Sequence, residues 1–293
     1  MSRGNISLYC NSVLCPSLFA TPFADLIITS PPYNLDIAYN SNNDALPYNE
    51  YLDFSRKWMR NVYAWSKPQG RFALNIPVDV NKPEHRSIGA DLTTIAQAAG
   101  WIYDATIIWS KNCISNRLAW GSWKSASAPC VISPVELLVV FYKGQWKKTG
   151  GSGISDISRD EFIAWTNGLW TMGTESKKRI GHPAPFPLEL PRRLIKLLSF
   201  VDDTVFDPFC GSATTLIAAQ QNGRRGVGLE IDSSYCELAK RRIEAECFQS
   251  EETPRTDFPI CCVADGINNA AMIDPVIQRA TVQRADRSDY VTN

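Results

Sequence analysis

The sequence is poor in metal ligands. Among its 293 residues there are only two histidines, His85 and His182, and none of the nine cysteines stands in a Cys-x-x-Cys pair. A zinc centre needs clustered imidazoles or thiolates, so none is expected here. An odd number of scattered thiols also argues against a disulfide-stapled secreted domain and predicts a reducing, cytoplasmic setting. No apolar run reaches the roughly 18 residues of a membrane span, and the first residues lack the basic-then-apolar pattern of a signal peptide. The Gly-x-Gly-x-x-Gly fingerprint is missing, as is any Gly-Lys-Ser/Thr phosphate loop. Net charge is missing too: 30 Lys and Arg balance 30 Asp and Glu. The balance is uneven along the chain, however. From Lys111 to Lys196 there are 13 basic residues against 6 acidic ones, and from Val201 to the end 9 against 15. A basic middle suits a polyanionic partner; charges spread over a solvated surface would give the same count.

What is present is an ordinary globular composition, 44% hydrophobic and 20% charged, in a chain long enough for one large or two small domains. Short apolar runs alternate with segments of helical periodicity. Strands are predicted at Ile6 to Tyr9, up to Ser30, Phe72 to Ile76, Ile102 to Trp109, Val135 to Tyr142, Val205-Phe206 and Gly226 to Ile231. Helices are predicted at Tyr51 to Trp65, Ile88 to Ala99, Leu190 to Ser199, Thr214 to Gln221 and Ser233 to Glu246. Lys67 to Gly70 reads as a turn, and residues 34–48 as a long mobile loop. This alternation predicts an α/β fold with a largely parallel sheet. Pattern fails from Lys143 to about Gly181, where basic residues interleave with Trp146, Trp165 and Trp170. Such a mixture can reach phosphates and bases, or it can be a small tryptophan cluster beneath a basic loop. Residues 248–293 read as a loosely packed tail.

Two stretches carry chemistry. The first is Thr29-Ser30-Pro31-Pro32-Tyr33-Asn34, which follows the apolar run Leu26-Ile27-Ile28. Two consecutive prolines cannot continue a sheet ladder, so the strand ends in a stiff corner of carbonyl acceptors with a hydroxyl before it and an aromatic ring after. A planar group bearing an amine fits such a corner. The second is Asp207-Pro208-Phe209-Cys210-Gly211-Ser212, a glycine-containing turn between a strand and a helix. In α/β folds ligands lie across such carboxyl ends. Glu230 ends the next strand, 19 residues after Gly211, where a carboxylate accepts hydrogen bonds from two ribose hydroxyls. With no phosphate loop, an adenosine without a phosphate chain is favoured. Taken alone, this turn could equally serve only to pack a helix on a sheet.

Together and in this order, the two stretches resemble the S-adenosylmethionine-dependent DNA amino-methyltransferases of the permuted β class, which act on cytosine N4 or adenine N6. Ser30-Pro31-Pro32-Tyr33 is similar to their catalytic motif, Asp207 to Ser212 to their cofactor loop, and His182 to Pro187 to the segment preceding that loop. The resemblance covers roughly residues 5–246 and implies a Rossmann-like fold with helices on both faces. It implies a catalytic and cofactor-binding domain over 1–142 and 182–247, a DNA target-recognition insert at 143–181 and a tail at 248–293. Implied cofactor contacts are Asn11, Pro185, Phe186, Asp207, Pro208, Phe209, Gly211, Ser212, Thr214 and Glu230; implied DNA contacts are Lys143, Lys147, Lys148, Lys177, Lys178 and Arg179. The implied partners are double-stranded DNA and, in a restriction-modification system, a cognate endonuclease; the protein itself would be a monomer or homodimer off the membrane. The target base would flip from the duplex and stack on Tyr33, with its exocyclic amine on Ser30 and the Pro31 carbonyl. Serine at the first motif position is more typical of members acting on cytosine N4, aspartate of those acting on adenine N6. Family members usually carry glycine where Ala213 stands and an adenine-binding aspartate near Asn11. Cytosine C5 chemistry is disfavoured, because Pro129-Cys130 continues as Val131-Ile132; Cys130 reads as a buried structural thiol. A DNA-binding module without catalysis, and an enzyme acting on RNA or a protein amide, are the rival readings.

Overall fold

The computed structural model describes residues 6–35, 44–79, 86–111, 121–131, 133–149, 151–175, 180 and 186–247. In chain order the strands are β1 (Ile6–Cys10), β2 (Ala24–Thr29), β3 (Ser66–Pro77), β4 (Ile102–Ser110), β5 (Val135–Tyr142), β6 (Leu169–Thr171), β7 (Thr204–Asp207) and β8 (Arg225–Glu230). The helices are α1 (Tyr48–Trp65), α2 (Ile88–Ala98), α3 (Arg159–Trp165), α4 (Glu189–Leu198), α5 (Thr214–Gln221) and α6 (Ser233–Cys247). No described helix is long and apolar enough to cross a membrane.

The strands form one sheet in the order β1-β8-β7-β2-β3-β5-β4-β6. The pairs from β1 across to β3 are all parallel, β5 runs antiparallel to both β3 and β4, and β6 is parallel to β4. All six residues of β2 are buried, as an apolar strand with neighbours on both sides requires. Its side chains alternate between two cores. Ile27 joins Trp58, Met59 and Val62 of α1 and Leu92 of α2 on one face. Leu26 and Ile28 join Leu194 and Ile195 of α4 and Ala218 and Ala219 of α5 on the other. Helices on both faces of a mostly parallel sheet make this the Rossmann-like arrangement. From β7 the chain passes through α5 to β8 on one side, and from β2 through α1 to β3 on the other. The carboxyl ends of β2 and β7 therefore flank the point where the strand order reverses, the place where such sheets bind ligands.

Three local readings of the sequence are corrected. Lys67 to Gly70 is not a turn between elements but lies within β3, where the register with β2 slips between Ala24 and Leu26 and Gln69 takes a left-handed backbone. The stretch from Lys143 to Gly181 is not patternless: it contributes α3 and the edge strand β6 to the same body. Its helix begins with a reciprocal capping box between Ser158 and Glu161, a signal that was legible in the sequence. Trp165 and Trp170 are buried in the second core. Finally, Cys130 is partly exposed in the loop between β4 and β5, not buried.

Candidate active site

The proline corner stands at the carboxyl end of β2. Thr29, the last residue of the strand, donates its hydroxyl to Asp207 Oδ1 of neighbouring β7 at 2.8 Å, joining the two sequence motifs directly. Tyr51 of α1 donates to the Pro32 carbonyl at 3.0 Å; burial pushes the Tyr51 pKa up, so its hydroxyl stays a donor. Beyond the corner, Asn34 adopts a left-handed backbone at φ 57° and clamps Leu46 in both directions. Asp44 accepts the backbone N–H groups of Asn34 and Leu35, so the base of the loop expected at 34–48 is closed; residues 36–43 lie outside the described residues.

A polar network lies beneath the corner. The Ser30 and Tyr33 hydroxyls are hydrogen-bonded to each other. Tyr33, 8% exposed, donates to the carbonyl of Asn75 at 3.1 Å. The Asn75 amide nitrogen donates to Tyr33 Oη at 3.0 Å and to Glu136 Oε2 at 2.7 Å. Lys111 closes the network with an ion pair to the other oxygen of Glu136. Sequence reasoning passed over Asn75, Glu136 and Lys111. The available signal was a lone amide inside Phe72-Ala73-Leu74-Asn75-Ile76 and a lone carboxylate opening Val135-Glu136-Leu137-Leu138. A polar side chain in a fully buried strand needs partners.

The second motif forms the other wall. Asp207 is fully buried, and burial pushes its carboxyl up to about 6 against the hydrogen bonds of Thr215, Thr29 and the Phe209 N–H. Both its oxygens are used inside the protein, by Thr29 and Phe209 on one and Thr215 on the other, so Asp207 shapes the loop. Pro208 opens the turn buried, and the half-buried Phe209 packs its ring edge-on against Trp58 at 5.2 Å. Gly211 turns with φ 48° and donates its N–H to Glu230 Oε2 at 2.9 Å. Asp232 N–H takes Glu230 Oε1 at 2.9 Å. Burial raises the Glu230 pKa against these backbone donors. Each carboxylate oxygen keeps a lone pair beyond its backbone donor, so the group fits a ribose diol. Ile231, next in sequence and 60% exposed, offers an apolar surface beside it. Asn11 donates its N–H to the Glu230 carbonyl, while its side-chain oxygen takes the Ser12 N–H. Phe186 is half-buried against the second core; Pro185 lies outside the described residues. Burial holds the Cys210 thiol well above its usual range, which leaves it inert.

Ser212 and Thr214, both expected at the cofactor, are engaged by the protein itself. Their hydroxyls both accept from Arg242 Nη1 of α6, at 3.0 and 3.1 Å, and the Ser212 carbonyl accepts from the same nitrogen at 2.6 Å. The two side chains thus brace the loop from behind. Between them Ala213 is held at φ 64°, the left-handed region that glycine adopts freely, so the alanine found in place of the family's glycine is strained.

The basic residues divide. Tyr142 pairs with Arg71, at the amino end of the parallel strands, so the chain leaves β5 at the edge opposite the corner. There Lys143 donates to the carbonyls of Tyr63 and Ser66, and Lys148, 6% exposed, pairs with Asp203 and Asp25. Lys143 and Lys148 therefore spend their charges inside the protein, on the edge away from the corner, and Lys147 follows β5 on that same edge. Lys177, Lys178 and Arg179 lie outside the described residues. By contrast, β4 ends beside the start of β5 and beside Thr171, so both the β4–β5 loop and the chain after β6 emerge at the corner's edge. That loop carries Trp123, 65% exposed, with Lys124 over its ring. Among the described residues no cluster of acidic, histidine or cysteine side chains could hold a metal ion.

The arrangement brings the proline corner and the glycine turn with Glu230 to one edge of one sheet. Comparison with known proteins agrees. Residues 24–241 match the family described as DNA methylase, the N6/N4 methyltransferases. The chain is 53% identical over 156 residues to the Type II methyltransferase M.MjaVI of Methanocaldococcus jannaschii, spanning 53% of this chain and 80% of that protein. It is 29% identical over 233 residues to M.ScaI of Streptomyces caespitosus, spanning 76% and 75%. Among solved structures, TTHA0409 of Thermus thermophilus in complex with S-adenosyl-L-methionine superposes with a TM-score of 0.65 at 27% identity, over 83% of this chain and 95% of that one. The cytosine-N4-specific PvuII DNA methyltransferase shares the fold, with a TM-score of 0.63 at 22% identity over 86% and 89% of the chains. The chain belongs to the N6/N4 DNA methylase family and is an S-adenosylmethionine-dependent DNA methyltransferase.

Proposed function

We propose that the protein methylates the exocyclic N4 amine of cytosine in duplex DNA, with the target base flipped into the Ser30-Pro31-Pro32-Tyr33 corner. The observation that carries this reading is Ser30 itself, a half-buried neutral hydroxyl at the end of β2, directly across from the Asp207 loop. The cofactor supplies an electrophilic methyl on a sulfonium. Glu230 would hold its ribose, Ile231 and Asn11 its adenine, and the turn at Phe209 to Gly211 would let its backbone approach closely. On the base side, the amine's lone pair is delocalised into the ring. Ser30 Oγ and the Pro31 carbonyl accept its two hydrogens and draw them out of plane, so that the lone pair points at the methyl carbon. Tyr33 contributes a ring face for stacking. The cofactor would supply the methyl directly to the nitrogen and leave as the neutral thioether, and the proton shed by the amine would pass to water. Positioning and polarisation supply the rate, with no covalent intermediate on the protein.

The duplex would lie over the corner's edge of the sheet, met by the β4–β5 loop with Trp123 and Lys124 and by the chain following β6, which carries Lys177, Lys178 and Arg179. As in Type II systems, a cognate endonuclease would be the biological counterpart. The test is to methylate mixed-sequence duplex DNA with labelled cofactor, digest to nucleosides and identify the labelled base. N4-methylcytosine is expected. N6-methyladenine would overturn the base assignment, and label in RNA or protein only would overturn the polymer.

A further inference from the structure

The buried network beneath the corner has a direction. A serine hydroxyl can donate or accept, and only an accepting Ser30 helps an amine that must give up its hydrogens. Glu136 Oε2 is an acceptor with two donors near it, the Asn75 amide at 2.7 Å and the Tyr33 hydroxyl at 3.4 Å. Lys111 holds the other oxygen, so the carboxylate stays in place. The Asn75 amide is turned so that its NH2 faces the carboxylate, and this leaves Asn75 Oδ1 buried with no hydrogen-bond partner among the described residues. Turning the amide over would free Oδ1 to accept from the Ser30 and Tyr33 hydroxyls. It would also press two acceptor oxygens together at 2.7 Å, so the charge on Glu136 decides the orientation. With the amide fixed, Tyr33 receives an N–H from Asn75 at 3.0 Å and sends its own proton to the Asn75 carbonyl at 3.1 Å. The one proton left to make the Ser30–Tyr33 bond is that of Ser30. One Ser30 lone pair stays near the Asn75 amide nitrogen, 3.4 Å away, and the other is left to accept from the target amine.

We propose that Glu136, braced by Lys111 and acting through Asn75 and Tyr33, is a positioning residue that sets the hydrogen-bond polarity of the corner, so that Ser30 meets the target amine as an acceptor. This rests on the reading of Ser30 as the amine's acceptor. In Glu136→Gln, Lys111 retains the amide oxygen and the new NH2 faces Asn75. The Asn75 amide turns over, and the hydroxyls reorient with it.

Single-turnover methylation of mixed-sequence duplex DNA tests this, together with calorimetric cofactor affinity and thermal melting. Glu136→Gln is expected to slow methyl transfer about 10- to 100-fold while cofactor affinity changes less than about twofold. Glu136→Asp should recover part of the rate. Tyr33→Phe keeps the ring but cuts the link, and should reproduce the loss. The deciding measurement is non-additivity: Glu136→Gln should add less than about threefold in a Ser30→Ala or Tyr33→Phe background. Losses that multiply in both backgrounds would overturn the proposal. So would a Glu136→Gln loss shared equally by cofactor affinity and melting temperature, which marks a merely structural acid. A Ser30→Ala variant as fast as wild type would instead remove Ser30 as the acceptor and take the inference with it.

Discussion

Arg242 is far from the target base, yet its removal should be felt at the cofactor. One guanidinium nitrogen, on a side chain only 13% exposed, holds the Ser212 carbonyl and the Ser212 and Thr214 hydroxyls. In Arg242→Ala the hydroxyls can rotate to other partners, but the Ser212 carbonyl loses a charged donor, at a cost of about 1–3 kcal/mol. Ala213 in its left-handed conformation would relax for a gain of about 1–2 kcal/mol, so the loop has reason to leave its observed shape. The accompanying loss of the Arg242–Glu246 pair on α6, whose carboxylate is open to solvent, is minor, under about 1 kcal/mol. If re-forming the loop costs about 2 kcal/mol, the dissociation constant for S-adenosylmethionine rises about 30-fold. Titration calorimetry of cofactor binding measures this, with circular dichroism to show that the fold is intact. Ala213→Gly in the same background should recover part of the affinity, since glycine takes the left-handed turn without strain. A folded Arg242→Ala protein with wild-type affinity would refute the bracing role.

Other substitutions separate the remaining parts. Glu230→Ala should weaken cofactor binding by about 1.5–3 kcal/mol in the same titration, and unchanged affinity would remove Glu230 from the site. Tyr33→Ala should lose most turnover while cofactor affinity stays near wild type; equal loss of both would contradict a role confined to the base. Lys148→Met should lower the melting temperature without altering the salt dependence of DNA binding, because its charge is spent on Asp203 and Asp25; a flatter salt slope would put it back at the interface. Asp207 gives a pH signature. Its folded pKa, about 6, lies above the usual carboxylate value, so its contribution to stability is fully present below about pH 4 and is lost as pH rises through 6. Urea midpoints should show Asp207→Asn gaining on wild type by up to about 3 kcal/mol between pH 4 and pH 7, and a constant difference would contradict the buried titration.

How far the sequence carries depends on whether a feature is local. The strands and helices follow from apolar periodicity, and α1, β5 and α5 stand close to where their residues predict them. The end of β2 is written in Pro31 and Pro32, which have no N–H to extend a ladder, and the pairing of proline corner with glycine turn marked both walls of the site. What required the fold were contacts between residues distant in the chain. Thr29 meets Asp207, 178 residues away, because parallel pairing sets β2 beside β7. Strand direction alone sends Lys143 and Lys148 to the edge away from the corner and the β4–β5 loop toward it, and no charge count contains a direction. The fold decides that the polar groups of Asp207, Ser212 and Thr214 find partners in Thr29, Thr215 and Arg242. It also decides that Glu136, one carboxylate in an apolar run, finds Asn75 on the adjacent strand. A buried polar group has to be satisfied by whatever the sheet places next to it, and that neighbour is fixed by register, which only the tertiary structure supplies.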